Sequence, residues 1–228
     1  MAKREDSSGY CYHWIRANTS LGNKELWYED AFQTLIKILT SGELKSGQSL
    51  NITYGHPCIC FTETPINFIH TDRSKYQPFG LEFYKNDIYT LGGKQIINCT
   101  QEESHSLPDN LKWRYARHEP LLRDNDHPHG IDFTWEREIR VNSSVIDFYG
   151  ESSIIGPTYR GNVDFAFNRI LVPNHFFLKK LLYNLSEYYK KEFNENSLKK
   201  PEDAPLYDEF FYCWIEEYER RIQSLNIL

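Results

Sequence analysis

The segment Trp135-Glu136-Arg137-Glu138-Ile139-Arg140-Val141 carries the densest chemistry in the chain. Read as a strand over 133–142, its alternation sets Trp135, Arg137, Ile139 and Val141 on one face and Glu136, Glu138 and Arg140 on the other. Two carboxylates beside a guanidinium form either a solvated outer face or the wall of a cleft. In a cleft, Glu138 suits the role of a fixed negative charge beside a developing cation such as an oxocarbenium-like carbon, with Glu136 helping to position the substrate. His13, between Tyr12 and Trp14, is either a satisfied strand residue or a group that hydrogen-bonds a ribose hydroxyl. Thr62 and Thr64 send their hydroxyls one way along a strand and Glu63 points the other. Standing before Pro65, they are also ordinary turn formers.

A second cluster, Asp124, Asp126, His127, His129 and Asp132, precedes the acidic strand. Asp132, Glu136 and Glu138 together have the oxygen chemistry of a Mg²⁺ site and hence of a metal-dependent nuclease. Pro128 and Gly130 make the same stretch read as a surface loop, and only Arg140, not a lysine, follows the acidic pair. The five cysteines (11, 58, 60, 99 and 213) contain no CxxC pair and read as reduced thiols, with Cys58 and Cys60 on one side of a strand.

Several elements must position these groups. Residues 10–16 read as a first strand. Apolar residues at 32, 35, 36 and 39 predict a helix over 29–41, closed by Gly42. Strands follow at 57–64, 79–84 and 94–99, with a short helix or turn at 86–91 and a turn at Gly92-Gly93. Residues 100–130 look irregular, with 113–122 as a candidate helix. The acidic strand and a last strand at 165–173 complete the sheet. Helices over 175–193, with Asn174 as N-cap, and 207–225 follow. Their apolar stripes are Phe176, Phe177, Leu181, Leu182, Leu185 and Tyr188, then Phe210, Phe211, Trp214, Ile215 and Tyr218. These are expected to pack on each other and on the sheet.

Composition narrows the classes. With 26 Lys+Arg against 32 Asp+Glu, the formal net charge is −6, which argues against wrapping duplex DNA as the main activity. Hydrophobic residues at 40% and charged residues at 25% describe a folded chain rather than a disordered one. The aromatic share of 15% predicts a core built on rings. No stretch approaches the ~18 apolar residues of a membrane span. The first residues are charged without an apolar stretch, so no export signal and a cytoplasmic location are expected. No glycine-rich loop leads from a strand into a helix, which removes Rossmann and P-loop sites.

Together these pieces resemble the ADP-ribosyltransferase fold and, within it, the DarT-like branch. Tyr12-His13-Trp14-Ile15, with the helix from Leu35 to Gly42, is similar to that branch's opening Y-H-x-T strand and N-L-x-x-I-L-x-x-G helix. Arg137-Glu138-Ile139-Arg140-Val141 is similar to the strand bearing its catalytic glutamate. Cys60-Phe61-Thr62-Glu63-Thr64-Pro65, the run Tyr76-Gln77-Pro78-Phe79-Gly80-Leu81-Glu82-Phe83-Tyr84-Lys85, and Glu138 to Val141 also resemble the AbiGi-type abortive-infection proteins of bacteria. The similarity spans about residues 10 to 173 and leaves the C-terminal helices uncovered.

The resemblance implies an α+β fold over 1–173, with a split mixed or antiparallel sheet and a helical pair over 174–228 packed on it. It places NAD between the halves of the sheet, with His13 on a ribose and Tyr76 or Tyr84 stacked on nicotinamide. Glu138 then binds the 2′-hydroxyl as nicotinamide leaves. Thr62, Thr64 and Arg140 join the NAD-lining set, and Arg73 is the nearest counterpart of an arginine that the branch carries after its second strand. All of this requires Glu138 and His13 to open into one hollow. The implied function is a bacterial anti-phage, toxin-type effector that transfers ADP-ribose to a nucleic acid or protein, or releases nicotinamide to water. The alternatives are the metal-dependent nuclease and a non-enzymatic antitoxin or assembly subunit, whose partner or second copy would dock on the C-terminal helices.

Overall fold

The computed structural model describes residues 8–16, 19–47, 55–64, 66, 78–125, 127–147, 167–199 and 201–226. In chain order the strands and helices are β1 (Tyr10–Trp14), α1 (Lys24–Ser41), β2 (Glu43–Lys45), β3 (Ile59–Thr62), β4 (Gly80–Tyr84), α2 (Lys85–Thr90), β5 (Lys94–Gln95), β6 (Ile97–Cys99) and α3 (Gln101–Ser104). There follow β7 (Tyr115–Arg117), β8 (Glu138–Val141), β9 (Val145–Asp147), β10 (Phe167–Val172), α4 (His175–Lys199), α5 (Ala204–Arg221) and β11 (Ile222–Ser224). The main sheet has strand order β11-β10-β4-β1-β3-β8-β5, and the pairs β2-β9 and β6-β7 stand apart from it. This is a mixed α+β fold with a mostly antiparallel sheet, as the sequence predicts. Among the described residues no helix is long and apolar enough to cross a membrane.

Two compact units interleave along the chain. One comprises Met1–His13, Leu44–Phe68 and Phe83–Ile146; the other comprises Trp14–Glu43, Ile69–Glu82 and Asp147–Leu228. In the first, β3 pairs antiparallel with β8 through Ile59↔Val141, Cys60↔Arg140, Phe61↔Ile139 and Thr62↔Glu138, and meets β1 at Tyr12↔Thr62. β5 flanks β8 through Lys94↔Arg140 and Gln95↔Ile139. Phe61 meets Phe83 edge-on at 5.3 Å, and Ile59, Ile88 and Ile139 are buried with them. Gly93 closes α2: a Cβ there would lie 2.6 Å from the Ile88 carbonyl oxygen, a contact that glycine alone avoids.

The second unit is built on rings. α1 starts earlier than its apolar spacing predicts, because the Asn23 side chain caps it by accepting from the Leu26 amide at 2.9 Å. It buries Tyr28, Ala31, Phe32, Leu35 and Leu39. Phe32, Phe79 and Phe177 form a triad, with Phe79–Phe177 at 5.0 Å and Phe32–Phe177 at 5.4 Å. Lys180 lies 4.8 Å from the Phe32 ring centre while pairing with Glu29 at 2.6 Å. α4 and α5 pack together through Tyr189 and Trp214, 4.9 Å apart. The Tyr189 and Tyr218 hydroxyls, 3.0 Å apart, each lie 3.5 Å from the Leu39 carbonyl.

Other predicted elements differ as well. The 207–225 helix stops at Arg221, and Ile222–Ser224 pair in parallel with Ile170–Val172. Ile222 and Leu225 continue the helical stripe in sequence, so period alone cannot separate helix from strand there. The 113–122 helix is a 3₁₀ turn, Asp109–Arg114, followed by β7. The 94–99 strand divides into β5, on β8, and β6, on β7, with the Ile96 amide bonding the Glu138 carbonyl at 3.1 Å. The 133–142 strand begins only at Glu138. Gly42, with φ 72° and its amide on the Ile38 carbonyl at 3.0 Å, ends α1 in the left-handed conformation as predicted. Gly42→Ala is expected to lower stability by about 1 kcal/mol in urea titration, because a Cβ strains that conformation.

Candidate functional site

The residues that organise the site are the threonines of β3 and the turn after it. The Thr62 hydroxyl donates to the Glu136 carbonyl and accepts from the Thr64 amide at 3.1 Å. The Thr64 hydroxyl donates to the Trp135 carbonyl at 2.8 Å, and the two hydroxyl oxygens are 2.9 Å apart. Both side chains are buried, and these hydroxyls clamp a turn. The clamped turn is a 3₁₀ segment, Thr134–Glu136, followed by Arg137 in the left-handed region (φ 45°, ψ 49°). A non-glycine residue held there is strained. This break shifts the phase of the segment: the alternation predicted over 133–142 holds only from Glu138 onward. Glu136 lies in the turn, 2% exposed, instead of beside Glu138 on a strand face.

β8 then presents Glu138 and Arg140 on the face of β3 that carries Cys60 and Thr62. Arg140 Nε donates to Glu138 Oε1 at 2.7 Å and Nη2 to Oε2 at 3.3 Å. Arg140 Nη1 donates to the Trp113 and Tyr115 carbonyls at 3.0 and 2.7 Å. The guanidinium is nearly buried, and the Glu138 side chain keeps 16% of its surface open. Burial opposes the Arg140 charge, but the adjoining carboxylate outweighs it and holds the guanidinium above its ordinary range. The Cys60 thiol is exposed by area, yet the protein around it desolvates it, and Glu138 adds a like-signed push; both raise it far above the ordinary thiol range. Burial raises the Cys58 thiol as well. Both sulfurs stay protonated at neutral pH and are poor nucleophiles.

His13 is not in this group. Tyr12, Thr62 and Glu138 are in register across β1, β3 and β8, so His13, one residue along β1, faces the other way. Its ring packs edge-on against Phe61 at 5.8 Å, and Nδ1 lies 2.9 Å from the Cys60 carbonyl, which can only accept. Nδ1 is therefore the protonated nitrogen. The shared hollow of Glu138 and His13 does not form. Tyr84 is 48% exposed with its ring 5.4 Å from that of Tyr10. Arg73 and Tyr76 lie outside the described residues.

The acidic loop is engaged locally. Asp132 accepts from the Thr134 amide and hydroxyl at 2.9 and 2.6 Å, and these bonds hold its carboxyl below the usual range. Asp124 accepts from the His127 amide at 2.6 Å, with His127 Nδ1 at 2.9 Å. Among the described residues no three His, Cys, Asp or Glu side chains are placed to hold a metal.

One constellation is not legible in the sequence beyond the direction of its carboxylate. Glu63, with its side chain 7% exposed, faces Lys85 Nζ at 3.3 Å, the Tyr89 hydroxyl at 3.4 Å and Gln95 Nε2 at 3.3 Å. Lys85 and Tyr89 stand four residues apart on α2 and so share a side of it. The one signal is the parity of Glu63, opposite to that of Thr62 and Thr64; its partners come from elements that spacing does not connect. Burial, and then the Glu63 carboxylate, push the Tyr89 hydroxyl up, keeping it a donor.

The clamp can be measured directly. Thr62→Val is expected to cost about 1–3 kcal/mol in urea unfolding, because it leaves a buried amide and carbonyl unpaired. Thr62→Ser, which keeps the hydroxyl, is expected to cost clearly less. Comparison with family models, with curated proteins and with solved structures yields no match for the chain.

Proposed function

We propose that the chain is an NAD-consuming enzyme of ADP-ribosyltransferase type, with the split sheet of that fold, acting as an anti-phage effector in a bacterial cell. The observation that carries this reading is Glu138: a carboxylate at the start of a strand, fixed by a buried arginine and still partly open to solvent. Arg140 donates to both carboxylate oxygens. In this reading the carboxylate, on the side that stays open to solvent, accepts the 2′-hydroxyl of the nicotinamide ribose. As the C1′–N bond breaks, its electron pair leaves with neutral nicotinamide. The sugar carbon gains positive charge, which the fixed carboxylate stabilises. A hydroxyl or nitrogen of a macromolecule, or water, then bonds to C1′ and gives up its proton to solvent. Glu136 acts here by its place in the turn that aims Glu138. His13 faces the other side of the sheet and takes no part, so the reading keeps the carboxylate chemistry that the resemblance implies and gives up the hollow shared with His13.

A second reading, that the chain is also an interaction subunit, is favoured by the rings that the C-terminal helices leave uncovered. Phe176 and Tyr183, seven residues apart on α4, are each 67% exposed, and Tyr212 on α5 is 66% exposed. Sedimentation at micromolar concentration is expected to report a mass above that of one chain if that surface joins two copies.

The enzymatic reading is tested by following nicotinamide release from NAD. Glu138→Gln is expected to reduce the rate by on the order of 10²–10³, the loss typical of one preorganised electrostatic contact. His13→Ala, normalised to folded protein, is expected to leave it unchanged. Equal activity of Glu138→Gln and the natural sequence rules the reading out.

A further inference from the structure

The Glu63 constellation lies outside the site just described and on the other side of β3. Thr62 shares the face of Glu138, while Glu63 has the parity of Phe61 and therefore of His13. Two other low-exposure carboxylates of this chain each close tightly on a partner. Glu82, 2% exposed, takes Asn168 Nδ2 at 2.5 Å, and Glu138 takes Arg140 Nε at 2.7 Å. Glu63 is as deeply placed, yet each of its three donors stops at 3.3–3.4 Å. A charge-assisted contact between ammonium and carboxylate normally closes to about 2.7–2.9 Å. A carboxylate taken out of water without that closure makes a poor strut, since desolvation is not offset by contact.

The donors are also differently disposed from those of a strut. Lys85 keeps 20% of its side chain open, and Tyr89 is 37% exposed. Lys85 and Tyr89 come from one side of α2 and Gln95 from β5, so the carboxylate is approached from two elements with both oxygens in use. The Tyr89 and Gln95 contacts fall on Oε1 and the Lys85 contact on Oε2. Two oxygens about 2.2 Å apart, Oε2 with a lone pair to spare and Oε1 holding two contacts at 3.3–3.4 Å, match a pair of adjacent hydroxyls that displace those two contacts. The flanking ammonium, phenol and amide are donors for the oxygens of the same hydroxyls.

We propose that Glu63, Lys85, Tyr89 and Gln95 form a binding site for a vicinal diol, the chemistry of a sugar or of the ribose in a nucleoside. Glu63 accepts from both hydroxyls, and Lys85, Tyr89 and Gln95 donate to their oxygens. The inference does not depend on NAD turnover or on Glu138.

The test is calorimetric titration of the full chain with adenosine, 2′-deoxyadenosine and D-ribose as probes. Adenosine is expected to bind, and 2′-deoxyadenosine about ten-fold more weakly, the loss of one hydrogen bond to a charged group. Binding of D-ribose with equal affinity identifies the sugar alone as sufficient; tighter binding of adenosine identifies a nucleoside. Glu63→Gln is expected to weaken adenosine binding about ten-fold, and Glu138→Gln to leave it unchanged. Tyr89→Phe and Gln95→Ala, at the open rim, give the same readout should Glu63→Gln fail to fold. Absence of binding to all three probes overturns the proposal, as does equal affinity for the 2′-deoxy compound. So does a set of variants that lowers the melting temperature without moving the affinity.

Discussion

The buried guanidinium of Arg140 is the interaction on which the candidate site depends. A charge in that position must be met by a counter-charge and by acceptors for its remaining N–H groups, or it destabilises the fold by several kcal/mol. Glu138 supplies the first and the Trp113 and Tyr115 carbonyls the second. One side chain therefore fixes two things: the rotamer of Glu138 and the course of the chain where the 3₁₀ turn passes into β7. The arrangement explains why residues 113–115 leave a helical path, since two of their carbonyls must turn toward β8.

The second constraint is the phase of β8. Side chains alternate in a strand, so a register change of one residue would send Glu138 to the face of Ile139. The clamp of Thr62 and Thr64 on residues 135 and 136, together with the left-handed Arg137, sets where the strand begins. Strain at Arg137 is tolerated because two buried hydroxyls hold the carbonyls before it. The threonines thus act on Glu138 through the backbone. They work as a pin in a hinge does, with their hydroxyls spent on the chain itself.

How much of this is legible follows from what sequence period can and cannot encode. The end of α1 at Gly42, the strand at 80–84 and the strand at 167–172 are local: each is written in apolar spacing and in a glycine or proline beside it. The strand from Glu138 to Val141 is legible for the same reason. The break at Arg137 is not, because the groups that cause it lie far away in sequence, at residues 62 and 64. Ile222 escapes for a different reason, since it satisfies the helical stripe and the sheet edge equally. At the site, the pairing of residues 138 and 140 can be read from strand alternation, but the opposite orientation of His13 requires the register of β1 on β3. The Glu63 group shows the same limit. Its carboxylate is visible in the sequence; its three donors are not.

The closure of the second unit has a consequence for how the polypeptide is made. The Leu39 carbonyl is met by hydroxyls 150 and 179 residues later, and β10 is completed by a strand that begins at residue 222. Such separations make search slow, because a long loop must be ordered before its contacts return any free energy. During synthesis α1 leaves the ribosome long before Tyr189 and Tyr218, and the Leu39 end of its buried face stays open in that interval. That interval is when a holdase would find its binding surface, and when an amphipathic helix of this kind is most prone to aggregate.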